Sequence, residues 1–269
     1  VIDPDASQVI INGVLEETVG DWWAGRLSHG APVIQVMANV GSVADATKVH
    51  GADGVGLLRT ELFFLDHKIA PTRAQQVQIY EQVLAVGPDG EIIVRTLDAG
   101  SDKPIAFLGL SREENPALGM RGQRVAVISP QFFEDQLHAI KAAADSVRAT
   151  GKKIEVSVMA PMIATVEEAE QFSKAARAAG FTRVGIMIEI PAITRVIPQL
   201  KGVVDFLSIG TNDLSQYLFA ADRVNSGVAV LLNPWQPALL STLESIATES
   251  AAAGIKVGVC GEAASDPLL

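Results

Sequence analysis

Gly180-Phe181-Thr182-Arg183-Val184-Gly185-Ile186-Met187-Ile188-Glu189-Ile190-Pro191 decides the fold class. Residues 184–188 are apolar or glycine at every position rather than at alternate ones. A strand with one buried face alternates, whereas a strand buried on both faces does not. The stretch therefore reads as a strand of a parallel sheet covered by helices. It ends on a carboxylate, Glu189, and a proline that cannot continue a ladder.

The same signature recurs in most of the other predicted strands. Strands are predicted over Val33–Ala38, Gly54–Leu58, Ile92–Thr96, Ile154–Met159, Val184–Ile188, Phe206–Ile209 and Val257–Val259. Helical patterns lie between them. Ala74–Val86 follows Pro71-Thr72, and Gln131–Thr150 carries Phe133, Leu137, Ile140 and Ala144 at helical spacing. Val166–Ala179 follows Thr165 with Glu168 completing a capping box, and Pro237–Ala253 stops at Gly254. Such alternation means a (β/α) barrel or a doubly wound sheet. Residues 1–30 break the rhythm. Gln8–Asn12 reads as a strand and Glu16–Arg26 as a short helix with Trp22 and Trp23. They are expected to be the end of a preceding domain and a linker, with the barrel domain over 31–269. The first residue is Val1, not Met, which suggests a fragment or processed chain.

The 269 residues include 21 Lys+Arg and 31 Asp+Glu, a net charge of −10, which argues against a nucleic-acid partner. With 48% hydrophobic residues the chain is expected to fold. A single cysteine, Cys260, excludes an internal disulfide framework and fits a reducing compartment. No apolar run is long enough to cross a bilayer. A cytoplasmic location without membrane insertion is the expectation.

In a parallel barrel the functional groups follow the C-terminal ends of the strands. Arg59-Thr60-Glu61 follows the second strand, and Arg95-Thr96-Leu97-Asp98 the third. Arg121 lies in the long loop after that. Glu189 ends the fifth strand, Asn212-Asp213 the sixth with Arg223 beyond, and Cys260 the seventh. Four arginines at one mouth would repel one another unless an anion sat among them, and guanidinium forks match phosphate and carboxylate oxygens. A small phosphorylated polyanion is the economical substrate. Glu189 and Asp213 can reach one ion if their strands are neighbours; two carboxylates without His or Cys suit Mg²⁺ rather than zinc. Other readings stay open. Any one arginine is commonly an ion-pair partner, and Glu189 equally suits a salt bridge. Cys260 taken alone reads as a small buried hydrophobe, although arginines would favour its thiolate. Gly210-Thr211-Asn212-Asp213 also reads as an ordinary turn. His29 is not read as a phosphohistidine, because it precedes the first barrel strand with nothing Gly-rich before it. His50, His67 and His138 are expected to be solvated.

Seven ordered segments resemble a known family. They are GADGVGLLRTELFFLD (51–66), VRTLDAGSDKP (94–104), ENPALGMRGQR (114–124), MAPMIATVEEAE (159–170), GIMIEIPAI (185–193), DFLSIGTNDLSQYLFAADR (205–223) and GVCGEAASD (258–266). The chain is similar to the C-terminal, phosphoenolpyruvate-binding domain of Enzyme I of the bacterial sugar phosphotransferase system. The resemblance implies a TIM-type (β/α)₈ barrel with seven strands evident here and the eighth missing. It implies Mg²⁺ on Glu189 and Asp213. It implies a phosphoryl group held by Arg59, Arg95 and Arg223 with Asn212, and helped by Lys103. Arg121 would stand near the bridging enolate oxygen or the carboxylate, and Cys260 would protonate enolpyruvate to pyruvate. The phosphoryl acceptor would be a histidine on a separate N-terminal domain, which serves a histidine-containing phosphocarrier protein, in a homodimeric enzyme. Departures from the pattern are Ala99, Ser101 and Met120, the last at a usual Trp. Rival readings are the barrel of a pyruvate phosphate dikinase or phosphoenolpyruvate synthase, or a non-catalytic phosphoenolpyruvate-binding module.

Overall fold

The computed structural model describes residues 34–49, 51–101 and 105–266, together with the backbone of three short strands within residues 2–16. Those three, β1 (Ile2–Asp3), β2 (Gln8–Ile11) and β3 (Val14–Glu16), pair antiparallel. The strand predicted at Gln8–Asn12 is thus present over Gln8–Ile11, while Glu16 closes β3 instead of opening a helix. The rest of that predicted helix with Trp22 and Trp23, His29, the boundary near Ala31, His50 and Lys103 all lie outside the described residues.

Seven parallel strands make the main sheet: β4 (Ala38–Val40), β5 (Gly54–Arg59), β6 (Gly90–Arg95), β7 (Ile154–Ala160), β8 (Val184–Ile188), β9 (Phe206–Gly210) and β10 (Lys256–Cys260). They stand side by side in chain order, each pairing with the next, and curl into a TIM-type barrel that is open between β10 and β4. Connections that always step to the adjacent strand leave every strand end on the same rim, which is what a shared site requires. The first strand begins later than its apolar run predicts. Residues 34–37 have no strand geometry; Val36 instead exchanges hydrogen bonds with Asp53, donating to its Oδ2 at 2.8 Å and accepting from its N–H at 2.9 Å.

The helices are α1 (Val43–Ala46), α2 (Arg73–Val86), α3 (Pro130–Ala149), α4 (Val166–Ala178), α5 (Thr211–Leu218) and α6 (Pro237–Ala253). The capping box read at Thr165 and Glu168 forms, and a second joins Thr72 and Gln75. In α3 the buried positions Phe133, Gln136, Leu137, Ile140, Ala144 and Val147 recur at helical spacing and face the sheet. Sequence reading overlooked α5. Its first turn follows β9 with no intervening loop, so Gly210-Thr211-Asn212-Asp213 is a strand-to-helix junction rather than an isolated turn.

Two apolar layers result. The outer one fills the space between sheet and helices. The inner one, Leu57, Ile93, Met159, Met187 and Phe206, lies inside the barrel with Cys260 packed against it. Phe206 occupies the room beside Gly185, where a Cβ would stand 2.4 Å from the ring. Arg183, ion-paired with Glu91, covers that ring at 4.8 Å from its centroid. The apolar filling therefore separates this pair, at the N-terminal ends of the strands, from the polar groups of the C-terminal rim. His67 is a correction: its ring packs edge-on against Phe64 at 6.1 Å, with Nδ1 buried, because the 60–67 turn folds back onto the aromatic cluster.

Candidate active site

Side-chain alternation carries Arg59, Arg95 and Cys260 to the rim, each two residues or one layer beyond the inner apolar positions. Arg59 and Arg95 are register partners on β5 and β6. Arg95 is buried. Its Nη2 donates to Glu61 Oε1 at 2.7 Å, and its Nη1 lies 3.2 Å from Asp98 Oδ2. Burial alone would lower its pKa, but Asp98, Glu61 and Glu189 reverse this and raise it, so the charge is permanent.

Among the described residues Arg121 is the largest fully buried side chain, 1% exposed. Its Nε and Nη2 donate to the two oxygens of Asp98, both at 3.1 Å, and its Nη1 and Nη2 donate to the two oxygens of Asp213, both at 2.9 Å. Two-pronged pairing on both sides fixes the guanidinium plane. The loop that delivers it is anchored. Glu113 accepts from Met120 N–H at 3.0 Å and from Ser101 Oγ–H at 3.0 Å, and Tyr217 of α5 donates to the Ala117 carbonyl. Arg223 comes within 3.6 Å of Asp213 Oδ2. A continuous ionic chain thus runs Glu61–Arg95–Asp98–Arg121–Asp213–Arg223.

This chain amends the premise that an anion must separate the arginines. Asp98 and Glu61, neither given a role from the sequence, already neutralise Arg95 and Arg121. Both acids were visible in the strand-end segments, three residues after Arg95 and two after Arg59, but nothing local says which way they point. Arg59 differs: it is exposed and has no ion-pair partner among the described residues. It therefore keeps its charge available at the mouth.

Glu189 follows β8 directly and is 1% exposed. Its Oε1 accepts from Met162 N–H at 2.7 Å, and Oε2 lies over Gly210, where a Cβ would stand 2.9 Å away. Met162 adopts a left-handed conformation, φ 59°, to present that N–H. Burial first, then the charges of Asp213 and Asp98, push the Glu189 carboxyl up to about 8, against Arg95 and the Met162 N–H. A buried acid whose ionisation is opposed by burial and by a neighbouring carboxylate marks a place where a cation is favoured. Among the described residues no three His, Cys, Asp or Glu side chains cluster as metal ligands. An all-oxygen pair without nitrogen or sulfur fits Mg²⁺, which usually takes one or two carboxylates with substrate oxygens and water.

Cys260 ends β10, where the Ser208 hydroxyl donates to its Sγ at 3.6 Å. Burial raises the thiol pKa. Ser208 lowers it, Glu189 raises it, and Arg95 and Arg59 lower it, with the net direction upward. The arginines thus fail to make it a thiolate, because desolvation outweighs them. Asn212 turns its carbonyl oxygen to the Glu262 N–H at 2.8 Å, while Thr211 Oγ–H donates to the Cys260 carbonyl at 2.8 Å. Gly261, with φ 93°, makes room: a Cβ there would meet Thr211 Oγ1 at 2.4 Å. This clasp joins the two strand ends that carry Asp213 and Cys260. Every predicted site residue that is described stands on this rim.

The model of the PEP-utilising enzyme, PEP-binding domain family matches residues 26–269. The chain belongs to this family. Among curated proteins, a "Phosphoenolpyruvate-protein phosphotransferase" of Streptomyces coelicolor is 46% identical over 249 residues, 91% of this chain and 44% of the relative. One of the same name from Haloferax volcanii is 43% identical over 250 residues, covering 87% and 43%. A "Multiphosphoryl transfer protein" of Rhodobacter capsulatus is 41% identical over 243 residues, covering 87% and 28%. The chain spans less than half the length of these relatives. The rim where strands β5 to β10 end lies within the matched residues. Among the described residues no helix is long and apolar enough to cross a membrane.

Proposed function

We propose that the chain binds phosphoenolpyruvate with Mg²⁺ at this rim and donates the phosphoryl group to a histidine of a separate N-terminal domain, the first step of a sugar phosphotransferase system. The ionic chain from Arg95 to Arg223 beside Glu189, with an exposed arginine at its mouth that has no ion-pair partner among the described residues, carries the reading. Phosphoryl transfer asks a protein for positioning and charge rather than covalent chemistry. In this reading Arg59, Arg95 and Arg223 hold the phosphoryl oxygens, with Asn212 and Lys103. Arg121 stands near the bridging enolate oxygen or the carboxylate. Glu189 and Asp213 are the residues that would hold Mg²⁺, whose charge, when bound, stabilises enolate and carboxylate oxygens.

The P–O bond to the enol oxygen breaks as a P–N bond to the histidine forms, and the histidine loses its proton. The enol oxygen keeps the bonding electrons. Cys260, held protonated by burial, gives its proton to the methylene carbon to complete pyruvate, and the thiolate is reprotonated from solvent. The longer enzyme would then serve a histidine-containing phosphocarrier protein, as a homodimer in the cytoplasm. The residues 1–30 would belong to the preceding unit and 31–269 to the barrel.

Calorimetry of the chain with phosphoenolpyruvate tests the reading. Binding should require Mg²⁺ and disappear in Arg95→Ala and in Glu189→Ala. Equal affinity in EDTA would remove the metal from the site, and no binding by the intact chain would remove the substrate.

A further inference from the structure

Gln136 is a polar side chain in the apolar face of α3, and it is 0% exposed. It lies in none of the segments that carry the family resemblance. Its carboxamide nevertheless spans three elements. Oε1 accepts from the Leu97 N–H at 3.0 Å; Nε2 donates to Tyr80 Oη of α2 at 2.9 Å and to Thr60 Oγ1 at 3.2 Å. Thr60 spends its own hydroxyl hydrogen on the Arg95 carbonyl, at 3.0 Å. Thr60, Tyr80 and Leu97 are each 0% exposed, so no water competes.

The donors and acceptors leave little freedom. A backbone N–H can only donate, so Oε1 must face Leu97. Thr60 has already used its hydrogen, so a donor must face it. A carboxamide supplies an acceptor oxygen and two N–H donors from one side chain, which is the set used here. Leucine would fill the volume but strand the Leu97 N–H, a loss that buried groups do not tolerate cheaply. Leu97 stands directly before Asp98, and Thr60 directly between Arg59 and Glu61. On its other side the same turn is tied to β7, where Thr96 N–H donates to the Met159 carbonyl at 3.0 Å.

We propose that Gln136 is a positioning residue for the phosphate site: its carboxamide, bonded to Leu97 and to Thr60, sets where Arg95, Asp98 and Glu61 stand. It touches no reacting group. Asp98 in turn holds Arg121, so an error at Leu97 reaches both buried arginines. The proposal rests on the phosphoenolpyruvate reading of that site.

Calorimetry of the chain with phosphoenolpyruvate and Mg²⁺ should show at least a tenfold loss of affinity in Gln136→Leu and a smaller loss in Thr60→Val. Because both act through one hydrogen-bonded chain, the double variant should be little worse than Gln136→Leu alone. General destabilisation would instead leave affinity within twofold, or give additive effects, and either result overturns the proposal. A crystal structure of Gln136→Leu decides the matter independently of binding. Displacement of the 95–98 turn from the Asp98–Arg121 contact supports positioning, and superposition overturns it. If Gln136→Leu does not fold, the same structure is determined for Thr60→Val. A wild-type chain that binds no phosphoenolpyruvate would sink the functional reading while leaving the structural arm to judge Gln136.

Discussion

Replacing Arg121 with methionine removes a guanidinium that is 1% exposed and makes hydrogen bonds to two carboxylates at 2.9–3.1 Å. Methionine keeps an unbranched apolar stem but no hydrogen-bond donor, so the main loss is the charge and its hydrogen bonds. Breaking a buried ion pair from one side costs about 3–5 kcal/mol, because the remaining charge is stranded. Here neither acid is wholly abandoned. Asp98 keeps Arg95 at 3.2 Å, and Asp213 keeps the half-buried Arg223 at 3.6 Å. The expected loss is therefore at the lower end, about 3 kcal/mol. For a domain of this size that lowers Tm by roughly 6–12 °C.

Mg²⁺ should restore part of the deficit, since a cation again faces Asp213. Calorimetric melts of both proteins, with and without Mg²⁺, measure this. A deficit below about 1 kcal/mol would refute the claim that Arg121 is the counter-charge of Asp98 and Asp213.

Gly210→Ala should weaken Mg²⁺ binding by about 10–100-fold, a typical effect of disturbing a ligand's support, because the new Cβ would sit 2.9 Å from Glu189 Oε2; Mn²⁺ or Mg²⁺ titration checks it, and unchanged affinity counts against Glu189 as a ligand. Alkylation of Cys260 should be slow at neutral pH and still accelerate beyond about 8.5, the ordinary thiol value, since burial raises its pKa; rates against pH decide. Glu189, with its carboxyl pushed up to about 8, contributes stability that is present at acid pH and is lost as pH rises from about 4.3 through about 8. Glu189→Gln should flatten that part of the metal-free stability profile, and an unaltered slope would show that another group titrates there.

Much of this protein was legible in the letters. Apolar runs at 184–188 and 206–209 are strands buried on both faces, and a buried backbone needs no tertiary information to betray itself. Arginine and carboxylate after successive strands likewise marked the rim, because a parallel barrel puts every such end on one side. The boundary at β4 was not legible, since Val36, in the run 34–37, bonds to Asp53 instead of a ladder partner. Nor was α5, which opens without a loop.

The sequence by itself thus determined that this chain alternates strand and helix and which residues reach the rim. Tertiary structure alone decided how those residues pair. Arg121 lies between Asp98 and Asp213, 23 and 92 positions away, and Gln136 reaches Thr60 across 76. Periodicity reports which face of an element is buried, a local property that follows from backbone geometry. The partner of a buried charge is set by how distant strands line up, and no short stretch of sequence contains that information.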